Sequence, residues 1–225
     1  MTAIDIGCGN GLFTKNMTNQ FKSILSIDIN PIRVRNLKDY FIQNEIATVT
    51  VMEMSAYEIE MSNESVDRAI FYRSIDHISD YGRALKEVYR ILKRGGKAYI
   101  NILDTRVTNE RIENMDYFRR FADELYDELK IGEGMCEIKY VDIDQLKVKL
   151  LEIGFKGIHE QISKTTDEDK YFERIDNGIK ANLSRISQEV SEKYMDYNAR
   201  YKDLLEKVKR IGIELRPTVE IICQK

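Results

Sequence analysis

Residues 3–14 read AIDIGCGNGLFT, and three glycines fall at alternate positions, 7, 9 and 11. They follow a short β-prone run, residues 2–6, that suits a buried parallel strand. Glycine lacks a Cβ, so a loop built this way can turn tightly and let its backbone come close to a ligand. A phosphate-gripping Walker loop is excluded, because no Gly-Lys-Ser or Gly-Lys-Thr follows. The dinucleotide fingerprint G-x-G-x-x-G fits poorly: the third glycine comes one residue early, and Leu12 stands where that fingerprint has its last glycine.

Outward from the loop, strand and helix patterns alternate. Leu12, Phe13, Met17 and Phe21 recur near helical spacing, and SILSID (23–28) is a second strand ending on Asp28. Asn30 can cap the next helix with Pro31 at its first position, and Ile32, Leu37 and Phe41 give that helix an apolar side. ATVTVME (47–53) and VDRAIFY (66–72) read as strands. Asp80 is a cap for the amphipathic stretch YGRALKEVYRILKR, which Gly95 and Gly96 are expected to stop before the strand KAYINIL (97–103). This alternation predicts an α/β fold, a Rossmann-like doubly wound sheet with the site at the carboxyl ends of its strands.

The second half is richer in helix. Residues 108–130 carry an apolar set at Ile112, Met115, Phe118, Leu125 and Leu129, and 142–155 read as a helix ending near Gly154 before a strand at 156–163. From Phe172 to Ile211 apolar residues, Val190 among them, step by three or four, which predicts one long helix or a hairpin with its break at Asn177-Gly178. TVEIICQ, after Pro217, completes seven strands in a mostly parallel sheet. The expectation is one domain, residues 1–225, with helical insertions at about 105–140 and 165–212.

Composition narrows the functional classes. A net charge of −3 disfavours nucleic acid as substrate. Cys8, Cys136 and Cys223 are far apart and only two histidines are present, so no metal site is expected. Sparse, odd cysteines fit a reducing cytoplasm, no apolar run is long enough to span a membrane, and the first residues lack a signal peptide's pattern.

The order D-x-G-x-G-x-G after strand one, with an acid closing strand two, resembles the class I S-adenosylmethionine-dependent methyltransferases. Further stretches carry the likeness. ESVDRAIFYRSIDHISDYGRALKEVYRILKRGGKAYI resembles the family's S-F-D … H-H … D … L-x-E-x-x-R-V-L-K-P-G-G, and LLEIGFKGI resembles its L-x-x-A-G-F turn. The likeness is close over residues 2–104, loose over 142–163, and nearest to the ubiquinone and menaquinone C-methyltransferase type. It implies a methyltransferase that uses S-adenosylmethionine, yields S-adenosylhomocysteine and acts on a small-molecule acceptor. A phosphate-free cofactor agrees with the absence of a loop lysine.

The resemblance also implies site residues. Gly7, Cys8, Gly9 and Gly11 form the loop around the amino-acid end of the cofactor, and Asp5 orients that loop and the cofactor's ammonium. Asp28 accepts the ribose hydroxyls, with Ile29 beside the adenine. Ser55-Ala56 stands where the family usually has an acid and a small residue at the adenine amine, so either that contact is weakened to a neutral hydrogen bond or Glu53 or another acid nearby substitutes. Arg94 replaces the family's proline. Tyr72 and Arg73 lie toward the methionine end. His77 matches the second of the family's frequent histidine pair and is the candidate catalytic base, its plainer role being to pack at the start of the helix that follows. Asp76 replaces the first histidine, as a substrate ligand or a helix-start acid. The loop opens at residue 3, without the family's usual front helices: either the sequence is truncated there or the cover comes from elsewhere, and the insertions are expected to serve as a lid or as a homodimer arm. Competing readings are an RNA or protein methyltransferase, a non-catalytic S-adenosylmethionine-binding protein and, less favoured by the glycine spacing, a nucleotide-dependent oxidoreductase.

Overall fold

The computed structural model describes residues 1–129, 140–163, 168–189 and 191–225. Its centre is a seven-stranded sheet of β1 (Thr2–Ile6), β2 (Ser23–Asp28), β3 (Val49–Glu53), β4 (Val66–Tyr72), β5 (Leu92–Leu103), β6 (Lys156–Ser163) and β7 (Thr218–Gln224). The order across the sheet is β3-β2-β1-β4-β5-β7-β6. The first five strands are parallel, and β7 runs antiparallel to both β5 and β6. Strand order reverses between β1 and β4, and the crevice outside that switch point is where open α/β sheets bind ligands.

Alternation along β1 shows why two layers of helix are needed. Ala3 faces a cluster with Ile24, Ile70, Phe13 and Met17, whereas Ile4 and Ile6 face the larger core. Helix α1 (Leu12–Met17) covers the first face, joined by α2 (Pro31–Gln43) through Val34, Leu37 and Phe41. Helices α3 (Tyr81–Ile91) and α5 (Ile143–Ile153) cover the second through residues such as Leu85, Val88, Leu146 and Leu150. Asn30 caps α2 by accepting from the N–H groups of Ile32 and Arg33, and Asp80 caps α3 by accepting from Arg83. Asp142 caps α5, and Gly154 ends it in the left-handed conformation.

One helix end differs from the sequence expectation. The stretch expected to be helical runs to Arg94, with Leu92 the last residue of its apolar face, but α3 stops at Ile91 and β5 begins at Leu92. Leu92 is fully buried, extended (φ −65°, ψ 134°) and paired with Val66. Burying it in the sheet outweighs another turn of helix. Gly95 and Gly96 therefore do not stop a helix; they form an irregularity inside β5, where the register moves from Val66/Leu92 to Arg68/Lys97. Lys225 closes it, its C=O accepting from Gly95 N–H and its N–H donating to Gly96 C=O.

The chain divides into two compact units, one of residues 1–105, 137–163 and 218–225 and the other of 106–136 and 164–217. The sheet lies in the first. In the second, α4 (Glu110–Glu128), α6 (Glu168–Glu189) and α7 (Ser191–Ile211) pack around Phe118, Phe121, Leu125, Ile179, Leu183 and Tyr201. The expected break at Asn177-Gly178 is absent: α6 runs through it. Ile175 and Ile179 sit in the helical core, and Asp176 accepts from Tyr201 Oη at 2.6 Å and pairs with Lys180 at 2.5 Å. These contacts outweigh the roughly 1 kcal/mol that one interior glycine costs a helix. Helix α6 ends at Glu189 and α7 begins at Ser191; Val190 and Cys136 lie outside the described residues. Tyr194, Tyr197 and Tyr201 all pack into this helical core.

Candidate functional site

The three loop glycines are all left-handed, with φ of +68° at Gly7, +53° at Gly9 and +77° at Gly11, yet each is there for a different reason. A Cβ on Gly7 would lie 2.7 Å from the Cβ of Ser74, and one on Gly11 would lie 2.3 Å from Cδ1 of buried Leu37. A Cβ on Gly9 would meet nothing within 4 Å. Two glycines thus serve packing, and the middle one faces open space.

The loop is fastened to the end of β2. The N–H groups of Gly7 and Cys8 both donate to Ile27 C=O at 2.8 and 2.9 Å, and Gly11 N–H donates to Cys8 C=O at 2.8 Å. Asp28 completes the attachment. Its Oδ2 accepts Gly9 N–H at 2.7 Å and its Oδ1 accepts Asn30 N–H at 2.9 Å. A carboxylate has about four acceptor sites, so Asp28 can hold this turn and still accept further donors. The structure therefore joins Gly7, Cys8, Gly9, Gly11 and Asp28 in one hydrogen-bonded unit. The Cys8 side chain points inward beside Val34, Leu37 and Phe41. Burial pushes its thiol well above the ordinary range, and the charges of Asp5 and Asp28 push the same way.

Asp5 works from beneath the loop. It is 1% exposed, and its Oδ2 accepts the Thr14 hydroxyl at 2.5 Å. With that proton committed, Thr14 Oγ1 accepts from Ser26 Oγ at 2.8 Å, linking β1, α1 and β2 in one buried chain. Burial raises the Asp5 carboxyl from 3.8 to about 6; the Thr14 hydroxyl opposes the shift, and the charge of Asp28 adds to it. Nothing in the sequence marked Thr14 or Ser26, since a polar residue in a short amphipathic stretch reads as solvent-facing.

The remaining residues lie at neighbouring strand ends. Ile29 follows β2 with 70% of its surface exposed, an apolar side chain left open beside Asp28. After β3, Ser55 Oγ accepts Tyr57 N–H at 3.2 Å, so its hydroxyl already serves a local turn, while Ala56 packs toward the core. Tyr72 ends β4, part exposed, with its ring 5.8 Å from that of Phe13. Arg73 is left-handed (φ 54°) and donates its N–H to Asn101 C=O at 3.0 Å. Ser74, which sequence reasoning passed over, is the fastener here: its hydroxyl donates to Ile6 C=O at 2.6 Å, and its Cβ fills the space that Gly7 leaves. Asp76 is buried and His77 exposed, both on the 3₁₀ turn Ile75–His77.

This arrangement fits an adenosyl cofactor. The loop is closely approachable at Gly9, Asp28 has acceptor capacity remaining, and Ile29 offers an open apolar surface for a base. Residues 4–100 match the methyltransferase domain family. Over those residues the chain is similar to methyltransferases. It is 26% identical over 172 residues to demethylmenaquinone methyltransferase of Lactobacillus johnsonii, covering 69% of this chain and 68% of that protein. It is also 26% identical over 100 residues to 2-methyl-6-phytyl-1,4-hydroquinone methyltransferase 2 of Oryza sativa, covering 44% of this chain and only 28% of the rice protein's length. Among solved structures, YcgJ from Bacillus subtilis superposes with a TM-score of 0.66 at 14% identity, over 100% of this chain and 91% of that one, which is a likeness of fold. Among the described residues, no helix is long and apolar enough to cross a membrane.

Proposed function

We propose that the protein is an S-adenosylmethionine-dependent methyltransferase acting on a small-molecule acceptor and releasing S-adenosylhomocysteine. The observation that carries this is the preassembled unit of Gly9 and Asp28, open on one side at Gly9. When bound, S-adenosylmethionine supplies a methyl group on a sulfonium, with a neutral sulfide as leaving group. The protein's task is then alignment and exclusion of water.

The residue roles follow from position. The loop from Gly7 to Gly11 lets the backbone approach the amino-acid end of the cofactor, and Asp5 keeps that loop in place from below. Asp28 accepts the ribose hydroxyls with its remaining lone pairs. Ile29 and Ala56 contact the adenine, and Ser55 offers it a neutral hydrogen bond. Tyr72 and Arg73 stand on the methionine side. His77, exposed on the turn after β4, takes the acceptor's proton where the nucleophile must lose one. For the helical insertions the proposed role is the lid, with a homodimer arm as rival. A deletion of 168–211 that left turnover and cofactor affinity intact would sink the lid. A reducing cytoplasm, in which Cys8 and Cys223 stay thiols, belongs to the same reading.

A thermal-shift comparison tests the proposal. S-adenosylhomocysteine raises Tm and NAD does not. Stabilisation by NAD alone would favour an oxidoreductase. S-adenosylhomocysteine binding without turnover on a panel of small molecules, RNA and proteins would leave a non-catalytic binder.

A further inference from the structure

The segment after β4 and the adjoining β5 each hold a buried acceptor without a hydrogen-bond partner. Asp76 is 4% exposed, and its Oδ1 has no hydrogen-bond partner. Asn101 on β5 is 8% exposed, and its Oδ1 also has none. The two come from adjoining segments at the carboxyl ends of the central strands. Asn101 is in register with Tyr72, its C=O receives Arg73 N–H, and the turn bearing Asp76 packs on β5.

Local structure does not account for Asp76. Helix α3 is capped by Asp80, and the glycine loop is fastened by Ser74. A buried acceptor without a donor costs about 1–3 kcal/mol, and more when it is charged. Such a group persists in native proteins where something outside the chain meets it. Both unmet atoms are acceptors, so their complement must donate. A carboxylate this deep is best matched by a cationic donor, because charge-assisted hydrogen bonds are the strong ones and an unpaired buried charge is the costly alternative.

Resting on the methyltransferase reading above, we propose that Asp76, together with Asn101, anchors an amine of the small-molecule acceptor. The pair fixes the acceptor's position by hydrogen bonds to its nitrogen; the atom that receives the methyl group is a separate matter. This makes the acceptor an amine-bearing molecule, in contrast to a neutral hydroxylated one.

The test uses the intact chain saturated with S-adenosylhomocysteine. Ethanolamine, benzylamine and putrescine are titrated calorimetrically beside ethylene glycol, benzyl alcohol and butanediol. At least one amine binds more tightly than its matched alcohol. Asp76→Asn, which removes the charge and keeps the shape, weakens that amine by roughly tenfold or more. It leaves S-adenosylhomocysteine affinity within about twofold and does not lower Tm, because Oδ1 makes no bond that the substitution could break. Asn101→Ala also weakens the amine and supplies the readout if Asp76→Asn does not fold. The inference is overturned if no amine binds, if alcohols bind as well as amines, or if the variants bind amines like the wild type. A drop in the Tm of Asp76→Asn would make the residue structural. A tenfold loss of S-adenosylhomocysteine affinity in that variant would assign Asp76 to the cofactor's own ammonium. Wild-type protein that binds no S-adenosylhomocysteine defeats the methyltransferase reading itself; binding S-adenosylhomocysteine but no amine defeats this inference alone.

Discussion

The loop after β1 and the segment after β4 sit at the same end of one sheet and are built on opposite principles. The first meets its polar needs internally: Ile27 C=O takes two loop N–H groups, Asp28 takes a third, and Thr14 serves Asp5. The second leaves an acceptor unmet at Asp76, beside another at Asn101 on the adjoining β5. A region that satisfies itself is rigid before any ligand arrives, which suits one fixed partner. A region that does not must be completed from outside, which suits selection among partners. Ser74 is the bolt between them, holding Ile6 C=O while its Cβ fills the space beside Gly7.

Four substitutions on the first region test how far that rigidity goes. Gly11→Ala has the largest expected effect. It adds the strain of a left-handed alanine, about 1–2 kcal/mol, to a 2.3 Å collision with Leu37, and overpacking of that kind costs a further ~1–3 kcal/mol. Denaturant unfolding should show the sum, and the double variant with Leu37→Ala should recover only the collision. If Gly11→Ala unfolds like the wild type, the loop is not the rigid element described.

Asp5→Asn comes next, with the opposite sign. Burial lifts the Asp5 carboxyl from 3.8 to about 6 in the folded chain, so the native state holds the proton more tightly than the unfolded state. Its contribution is fully present below pH ~4 and lost as pH rises through about 6. The wild type should lose up to about 3 kcal/mol over that window from this group. Asp5→Asn should lack that slope and be the more stable protein at pH 7. A wild-type stability that rises with pH on account of Asp5 would contradict the burial argument.

Asp28→Ala removes the acceptor for Gly9 N–H as well as the proposed ribose contact. We expect roughly a ten- to hundredfold loss of S-adenosylhomocysteine affinity, as for hydrogen bonds to a charged group. Asp28→Asn keeps one acceptor oxygen and should fall between. Gly9→Ala is the mildest for the fold. With nothing within 4 Å of the added Cβ, only the left-handed strain remains, about 1 kcal/mol, while S-adenosylhomocysteine affinity should fall by much more than that cost implies. A variant that lost stability and kept affinity would place the ligand elsewhere.

The same contrast explains what was legible in the sequence. The sheet, the glycine loop, Asp28 and the caps at Asn30 and Asp80 depend on local chemistry, which residue type and spacing report directly. Helix ends set by distant packing were not legible. Leu92 leaves its helix because Val66 waits in the neighbouring strand, and Gly178 stays helical because Asp176 is held by Tyr201, 25 residues away. Within the site, the backbone-driven loop was readable, whereas Thr14, Ser26, Ser74 and Asn101 act through partners brought together only by folding.

The central claim is that the Gly9–Asp28 unit holds an adenosyl cofactor without phosphates. Calorimetric titration of the intact chain with S-adenosylhomocysteine, run on the wild type, on Asp28→Ala and against NAD, tests it most directly. The account predicts saturable, one-to-one binding of S-adenosylhomocysteine by the wild type, at least tenfold weaker binding by Asp28→Ala, and no heat from NAD. Absence of S-adenosylhomocysteine binding, or equal affinity in Asp28→Ala, would contradict it.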